Sequence, residues 1–163
     1  MINPTILFEG ELNPSAVFQG AIWQLFTAMF LHYSVSHIGL NMLSLFFIGP
    51  FTEAVYGSGR YLVLYLFSGI IGNITSLFFL PAYQAAGAST AIFGVFGALG
   101  IFLVLQYRKF GSAVKPMLMQ WVFWLVLNLV YGFNVSGIDV AGHIGGLATG
   151  LILGGLFLRQ KTY

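Results

Sequence analysis

Ala86-Gly87-Ala88-Ser89-Thr90-Ala91-Ile92-Phe93-Gly94-Val95-Phe96-Gly97-Ala98-Leu99-Gly100 sets a Ser-Thr pair at the head of an apolar segment crowded with small residues. Pro81, Gln84 and Gly87 ahead of it are loop signals, and no charge follows until Arg108. The pattern predicts a helix that starts near Ser89, with a hydroxyl at its N-terminus at or just below a membrane surface. The plain reading of that hydroxyl is an N-cap, since Ser and Thr side chains satisfy the free N–H groups of a first turn. The sharper reading is a nucleophile, which requires a base from elsewhere in the chain.

The chain as a whole supports a membrane setting. Of its 163 residues 58% are hydrophobic and 6% charged, whereas soluble domains carry about 25% charged residues. A globule so apolar has too little to present to water. The expected class is therefore all-α, a polytopic helical bundle in a lipid bilayer. A net charge of +2 gives no case for nucleic acid. The absence of cysteine excludes disulfides and thiolate chemistry. Met1 to Gly20 lacks a basic start and carries Glu9 and Glu11, so no signal peptide is expected.

Outward from Ser89 the chain divides readily. Residues 1–22 read as a loop broken by Pro4, Gly10, Pro14 and Gly20. Trp23 to Leu31 is apolar but short, an interfacial or re-entrant segment anchored by Trp23. About five spans follow, near Ser34–Ala54, Tyr61–Leu80, Ala88–Tyr107, Met117–Phe133 and Val140–Leu158. Between them lie a Gly57–Arg60 turn, a Pro81–Gly87 loop, a basic Arg108–Pro116 loop and an Asn134–Asp139 turn. With sides alternating, Arg60, Arg108, Lys109, Lys115, Arg159 and Lys161 all fall on one side, which the positive-inside rule makes cytoplasmic. Three regions result: an outer-side N-terminal loop with its interfacial segment (1–33), a membrane domain (34–158) and a cytoplasmic tail (159–163). His37, Ser89 and His143 then share one depth, near the outer ends of their helices.

His143 is the candidate base. Gly142, Gly146, Gly150 and Gly154 recur every four residues behind it and line one helix face. Ala91, Gly94 and Ala98 give the Ser89 helix a small face of its own. Such faces let two backbones approach closely in a membrane, which would bring His143 within reach of the Ser89 hydroxyl. An ionisable residue inside a span is costly and usually functional; the glycine face alone signifies only packing. His37 and Asn41, at i and i+4, project from one helix face. With the N–H groups at the Ser89 helix start they could bind an oxyanion, or simply form a polar seam between helices. His32, Ser34 and Ser36 could hold water nearby. His32 and His37 are five apart, a poor helical ligand spacing, and Asp139 is the one acid expected near them, so no metal site is expected. Asp139 reads as the N-cap of the last helix rather than a third catalytic member. Glu53 and Arg60 read as structural, paired across their turn.

These residues together resemble the rhomboid family of intramembrane serine proteases over about residues 23–158. Trp23-Gln24-Leu25-Phe26-Thr27 is similar to a segment of the family's long first loop, with Gln24 where the family has arginine. His32, His37 and Asn41 match its His-x4-His-x3-Asn pattern. Gly49-x3-Glu53 and Gly59-Arg60-Tyr61 resemble the next helix end and turn. Gly87-Ala88-Ser89-Thr90 matches the nucleophile motif, with Thr90 where glycine is common. Ala141-Gly142-His143-Ile144-Gly145-Gly146 matches the last-helix histidine motif.

The resemblance implies an endopeptidase with Ser89 as nucleophile and His143 as general base and acid. His37, Asn41 and the Ser89 N–H would form the oxyanion site, His32 would support it, and Phe93 would pack on the histidine. No cofactor is implied. The partners implied are transmembrane protein substrates within a bilayer, in a bacterial cell membrane, with the site open to the outer side. The family core has six helices, and this chain starts in what resembles the loop after the first. The alternative function is a non-catalytic member that binds transmembrane helices; a small-solute channel fits less well, because the spans have few polar stripes.

Overall fold

The computed structural model describes residues 4–79 and 84–160. Leu80, the Pro81 loop signal and Lys161 lie outside the described residues. Among the described residues, five helices are long and apolar enough to cross a membrane. They are preceded by three short ones: α1 (Pro4–Gly10), α2 (Pro14–Phe18) and α3 (Gln24–Thr27), the last running into a 3-10 turn at Ala28–Phe30. The long helices are α4 (Val35–Tyr56), α5 (Ser58–Phe79), α6 (Ser89–Phe110), α7 (Lys115–Asn134) and α8 (Val140–Arg159). The expected all-α bundle is what the chain forms.

Residues 1–22, expected as loop, are largely helical where described, and the reason is tertiary. Helices of seven and five residues are far too short to persist alone. The last carbonyls of α1 are capped instead by side chains near α3. Trp23 Nε1 and Gln24 Nε2 donate to Glu9 O at 3.2 and 3.1 Å, and Thr27 Oγ1 donates to Gly10 O at 2.7 Å. Asn13 caps α2 by accepting from Ala16 N at 3.2 Å. Buried Gln24 also accepts from Asn13 N at 3.0 Å. The carboxamide thus ties two turns together with no charge to bury.

The long helices begin and end for local reasons. Ser34 caps α4, its Oγ accepting from His37 N at 3.1 Å. Gly57, at φ +83°, alone joins α4 to α5. The expected four-residue turn is therefore a single residue, with Ser58, Gly59 and Arg60 already helical. Arg108 and Lys109 likewise stay in the last turn of α6, where cations suit the helix dipole. Gly111 at φ +57° ends it, and a 3-10 turn at Gly111–Ala113 leads into α7. Asp139 caps α8, its carboxyl accepting from Gly142 N at 2.8 Å. Arg60 does not pair with Glu53. Its guanidinium donates to Phe157 O at 3.4 Å and Gln160 Oε1 at 3.5 Å and lies over the Phe157 ring, so it clasps the end of α8.

Helix α6 is the axis of the bundle: 56% of its apolar window is buried, against 6% for α7. It packs on α8 and α5 through small residues. A side-chain carbon at Gly146, Gly150 or Gly154 would strike Thr90 O, Gly94 O or the Ala98 backbone, one helical turn apart along α6. The glycine stripe therefore meets α6 in register, as its spacing predicts. On the α6 side the contact face is Thr90, Gly94, Gly97 and Ala98, whereas Ala91 is turned towards Gly69 of α5. Polar bonds join the helices where the bilayer offers no hydrophobic driving force. Tyr56 donates to Ala98 O at 2.8 Å, Asn73 Nδ2 to Leu25 O at 3.0 Å and Trp121 Nε1 to Phe96 O at 2.9 Å. Phe46, Phe47, Phe78, Phe79 and Phe133 face outward, as lipid-facing positions require. Arg60, Arg108, Lys109, Lys115 and Arg159 all sit at the helix ends opposite those that carry Ser89 and His143.

Candidate active site

Three helix N-termini converge at one end of the bundle. Ser89 opens α6, His143 lies in the first turn of α8 and His37 in the first turn of α4. Ser89 is not an N-cap. Ala88 takes the cap position with no side-chain bond, and Ser89 is the first helical residue. Its hydroxyl is thereby freed to meet His143, with Oγ and Nε2 2.8 Å apart. When Nε2 carries no proton, Ser89 O–H donates to it. The imidazole stacks on Phe93, with ring centroids 4.3 Å apart and planes at 10°. Phe93 is buried one turn after Ser89, so one helix presents both the hydroxyl and the plate that orients its partner. The Asp139 carboxyl is committed to Gly142 N, and among the described residues no acid bonds the other ring nitrogen. Burial pushes the Asp139 carboxyl above its usual range; the bond from Gly142 N–H and the nearby Ser76 hydroxyl pull it partly back.

The segment before Ser89 is held extended. Gly87 has φ +143°, in the region that favours glycine, and a side-chain carbon there would lie 2.8 Å from the His37 ring and 3.8 Å from Ser89 Oγ. His37 and Ser89 therefore border one point of space, and only glycine leaves it open. Asn41, buried one turn below, donates to His37 O at 3.0 Å and keeps a second amide hydrogen. His37, Asn41, Ser89 and His143 all line a cavity of about 1140 Å³ that continues between α4, α6 and α7.

His32 serves differently from the expected water site. It is buried, outside the cavity lining, and its Nε2 accepts from Ala88 N at 3.4 Å. Its ring meets His37 edge-on at 5.0 Å. Ser34 and Ser36 do line the cavity, joined by a 3.0 Å bond. Burial, and then the adjacent His37, hold the His32 imidazole below its usual pKa. A group depressed in this way stabilises the fold above its ordinary pKa and loses that contribution as pH falls through the depressed one. The thermal midpoint is therefore expected to fall as pH drops below about 6.5. His32→Gln, which accepts but does not titrate, should flatten that decline; equal declines in both proteins would count against it.

Two residues of this end carried no local signal in the sequence. Tyr33 lines the cavity, lies parallel to the His37 ring at 6.3 Å and donates to Glu11 Oε2 at 3.1 Å. The partners lie 22 positions apart, a spacing no helical period reveals.

The sequence profile of the Rhomboid domain matches residues 19–160. The chain belongs to the rhomboid family. It is 42% identical over 146 residues to Rhomboid protease GluP of Bacillus subtilis (strain 168), covering 90% of this chain and 28% of that protein. RHOMBOID-like protein 1 of Arabidopsis thaliana is 36% identical over 155 residues, 94% of this chain and 39% of the relative. Rhomboid-like protease 3 of Toxoplasma gondii is 28% identical over 149 residues, 91% and 57%. The chain thus spans between about a quarter and three-fifths of the length of these relatives. This rhomboid protein is an integral, multi-pass membrane protein with the family's protease fold.

Proposed function

We propose that this rhomboid protein is a serine endopeptidase that cuts peptide bonds in or near the transmembrane segments of other membrane proteins. One observation carries the reading: Ser89 Oγ lies 2.8 Å from His143 Nε2 at the head of a cavity within the bundle. In this reading His143 takes the Ser89 proton as Oγ attacks the scissile carbonyl. The oxyanion that forms is held by His37, the second amide hydrogen of Asn41 and the Ser89 backbone N–H, which at the first turn of α6 has no intrahelical acceptor. His143 then gives its proton to the leaving amine. A water, supplied past Ser34 and Ser36, repeats the cycle on the acyl-enzyme. Phe93 and the packed glycine face hold the imidazole at attack distance, the positioning such chemistry depends on.

The substrate class follows from the setting. A helix hides its carbonyls in its own hydrogen bonds, so a substrate must unwind at the cut. Segments with helix-breaking residues near one end would meet that need. The five described cations at the opposite helix ends support, by the positive-inside rule, a cytoplasmic position for that end; in this reading the site opens outward.

A fluorophosphonate probe tests the reading, because it forms a covalent bond only with an activated serine. The expected result is one labelled residue, Ser89, with labelling lost in His143→Ala. A folded protein that takes no label would instead support a member that binds transmembrane helices without cutting them.

A further inference from the structure

Glu11 is buried at the edge of the bundle, yet among the described residues no cation forms an ion pair with it. A carboxylate removed from water is expensive unless it gains strong hydrogen bonds. Such a bond comes from the Tyr33 phenol, which donates to Glu11 Oε2 at 3.1 Å. The next residue, fully buried Leu12, exchanges both backbone bonds with Ala85, N to O at 2.7 Å and back at 3.0 Å. Glu11 and Leu12 thus grip two different walls. Through Tyr33, Glu11 holds the entry to α4, where the Tyr33 ring flanks His37. Through Ala85, Leu12 holds the extended segment that leads to Ser89. That segment is fixed again at Gly87, whose N–H donates to Ala28 O at 2.9 Å, and at Ala88 by His32.

We propose that Glu11 is a positioning residue. With Leu12 it clamps the N-terminal segment across the mouth of the site and fixes the His37 imidazole relative to Ser89. Glu11 does not line the cavity, so it acts through Tyr33 and not on substrate. The end of α1 is fastened by Trp23, Gln24 and Thr27, which gives the clamp a rigid anchor. The N-terminal segment is then a working part of the site and not only a cover.

The role rests on the protease reading, so its test has an arm that does not. Glu11→Ala and Tyr33→Phe each remove the bond; Tyr33→Phe keeps the ring, and Glu11→Gln keeps an acceptor. In detergent or lipid discs, kcat on a transmembrane substrate and the rate of fluorophosphonate labelling at Ser89 should fall about three- to tenfold in the first two. KM should stay within about twofold. The double variant should be no worse than Tyr33→Phe alone, because both changes remove the same Glu11–Tyr33 bond. Glu11→Gln should restore most of the rate. Independently, the His37 side-chain signals in NMR of ¹⁵N-histidine protein should shift or broaden in Glu11→Ala and Tyr33→Phe, and return in Glu11→Gln. Unchanged His37 signals in both overturn the clamp even in a protein that takes no label. Wild-type rates in both variants, additive losses, or no rescue by Glu11→Gln also overturn it.

Discussion

Ser89→Ala is expected to abolish cleavage of a transmembrane substrate while leaving the protein folded. Among the described residues the hydroxyl has one partner, His143 Nε2, and its removal takes away both the attacking atom and the acceptor-bound proton. Where nucleophile and base act as a unit, loss of either typically lowers kcat by about 10⁴-fold or more. His143→Ala should fall as far, and the double variant no further. The structural loss is small by comparison. One part-buried hydrogen bond contributes about 1 kcal/mol net, and the Phe93 stack on His143 remains. Thermal unfolding of Ser89→Ala should therefore lie close to that of the parent. Cleavage at the parental rate by a folded Ser89→Ala protein would remove Ser89 from the chemistry.

The spans were legible because their apolar runs are long and their breaks few, and their ends were less so. Gly57-Ser58-Gly59-Arg60 has the composition of a turn, but one glycine at φ +83° reverses the chain and the rest is helix. Arg108 and Lys109 read as loop, yet long cationic side chains extend out of a membrane helix without ending it. The short helices α1 and α2 were hidden for another reason. Their stability comes from Trp23, Gln24 and Thr27 capping α1 from a distance, information that no local window holds. The site divides the same way. The convergence of Ser89 and His143 was legible because glycine every four residues fixes both the packed face and its register. Glu11 and Tyr33 were not, since their meeting depends on where the N-terminal segment folds back. Ala91 shows the limit of reading small residues as one face: it is as small as Gly94, but it looks towards α5.

Gly150→Ala tests that packed face where it is tightest, and a loss of about 2–3 kcal/mol is expected, at the upper end for overpacking. A methyl group there would run into Gly94 O, with the Gly94 carbonyl carbon and Cα next in its way. All three are backbone atoms in the middle of the most buried helix, so no rotamer change can clear the space. The helices must separate, and every contact made in the same register, Gly146 on Thr90 and Gly154 on Ala98, loosens with them. Gly39→Ala is the matching control. It lies inside α4 with open space around the added carbon. There, alanine's better helix propensity should leave stability unchanged or raise it by about 0.5–1 kcal/mol. The two changes add the same atom to the same residue type in a membrane helix, so their difference isolates the close approach of α6 and α8. Ser89 and His143 sit at the top of that contact. Gly150→Ala should consequently lower fluorophosphonate labelling of Ser89 in the fraction that remains folded, as the 2.8 Å separation opens with the helices. Equal unfolding of the two variants in a reversible detergent titration would mean that the glycine face does not hold the site together.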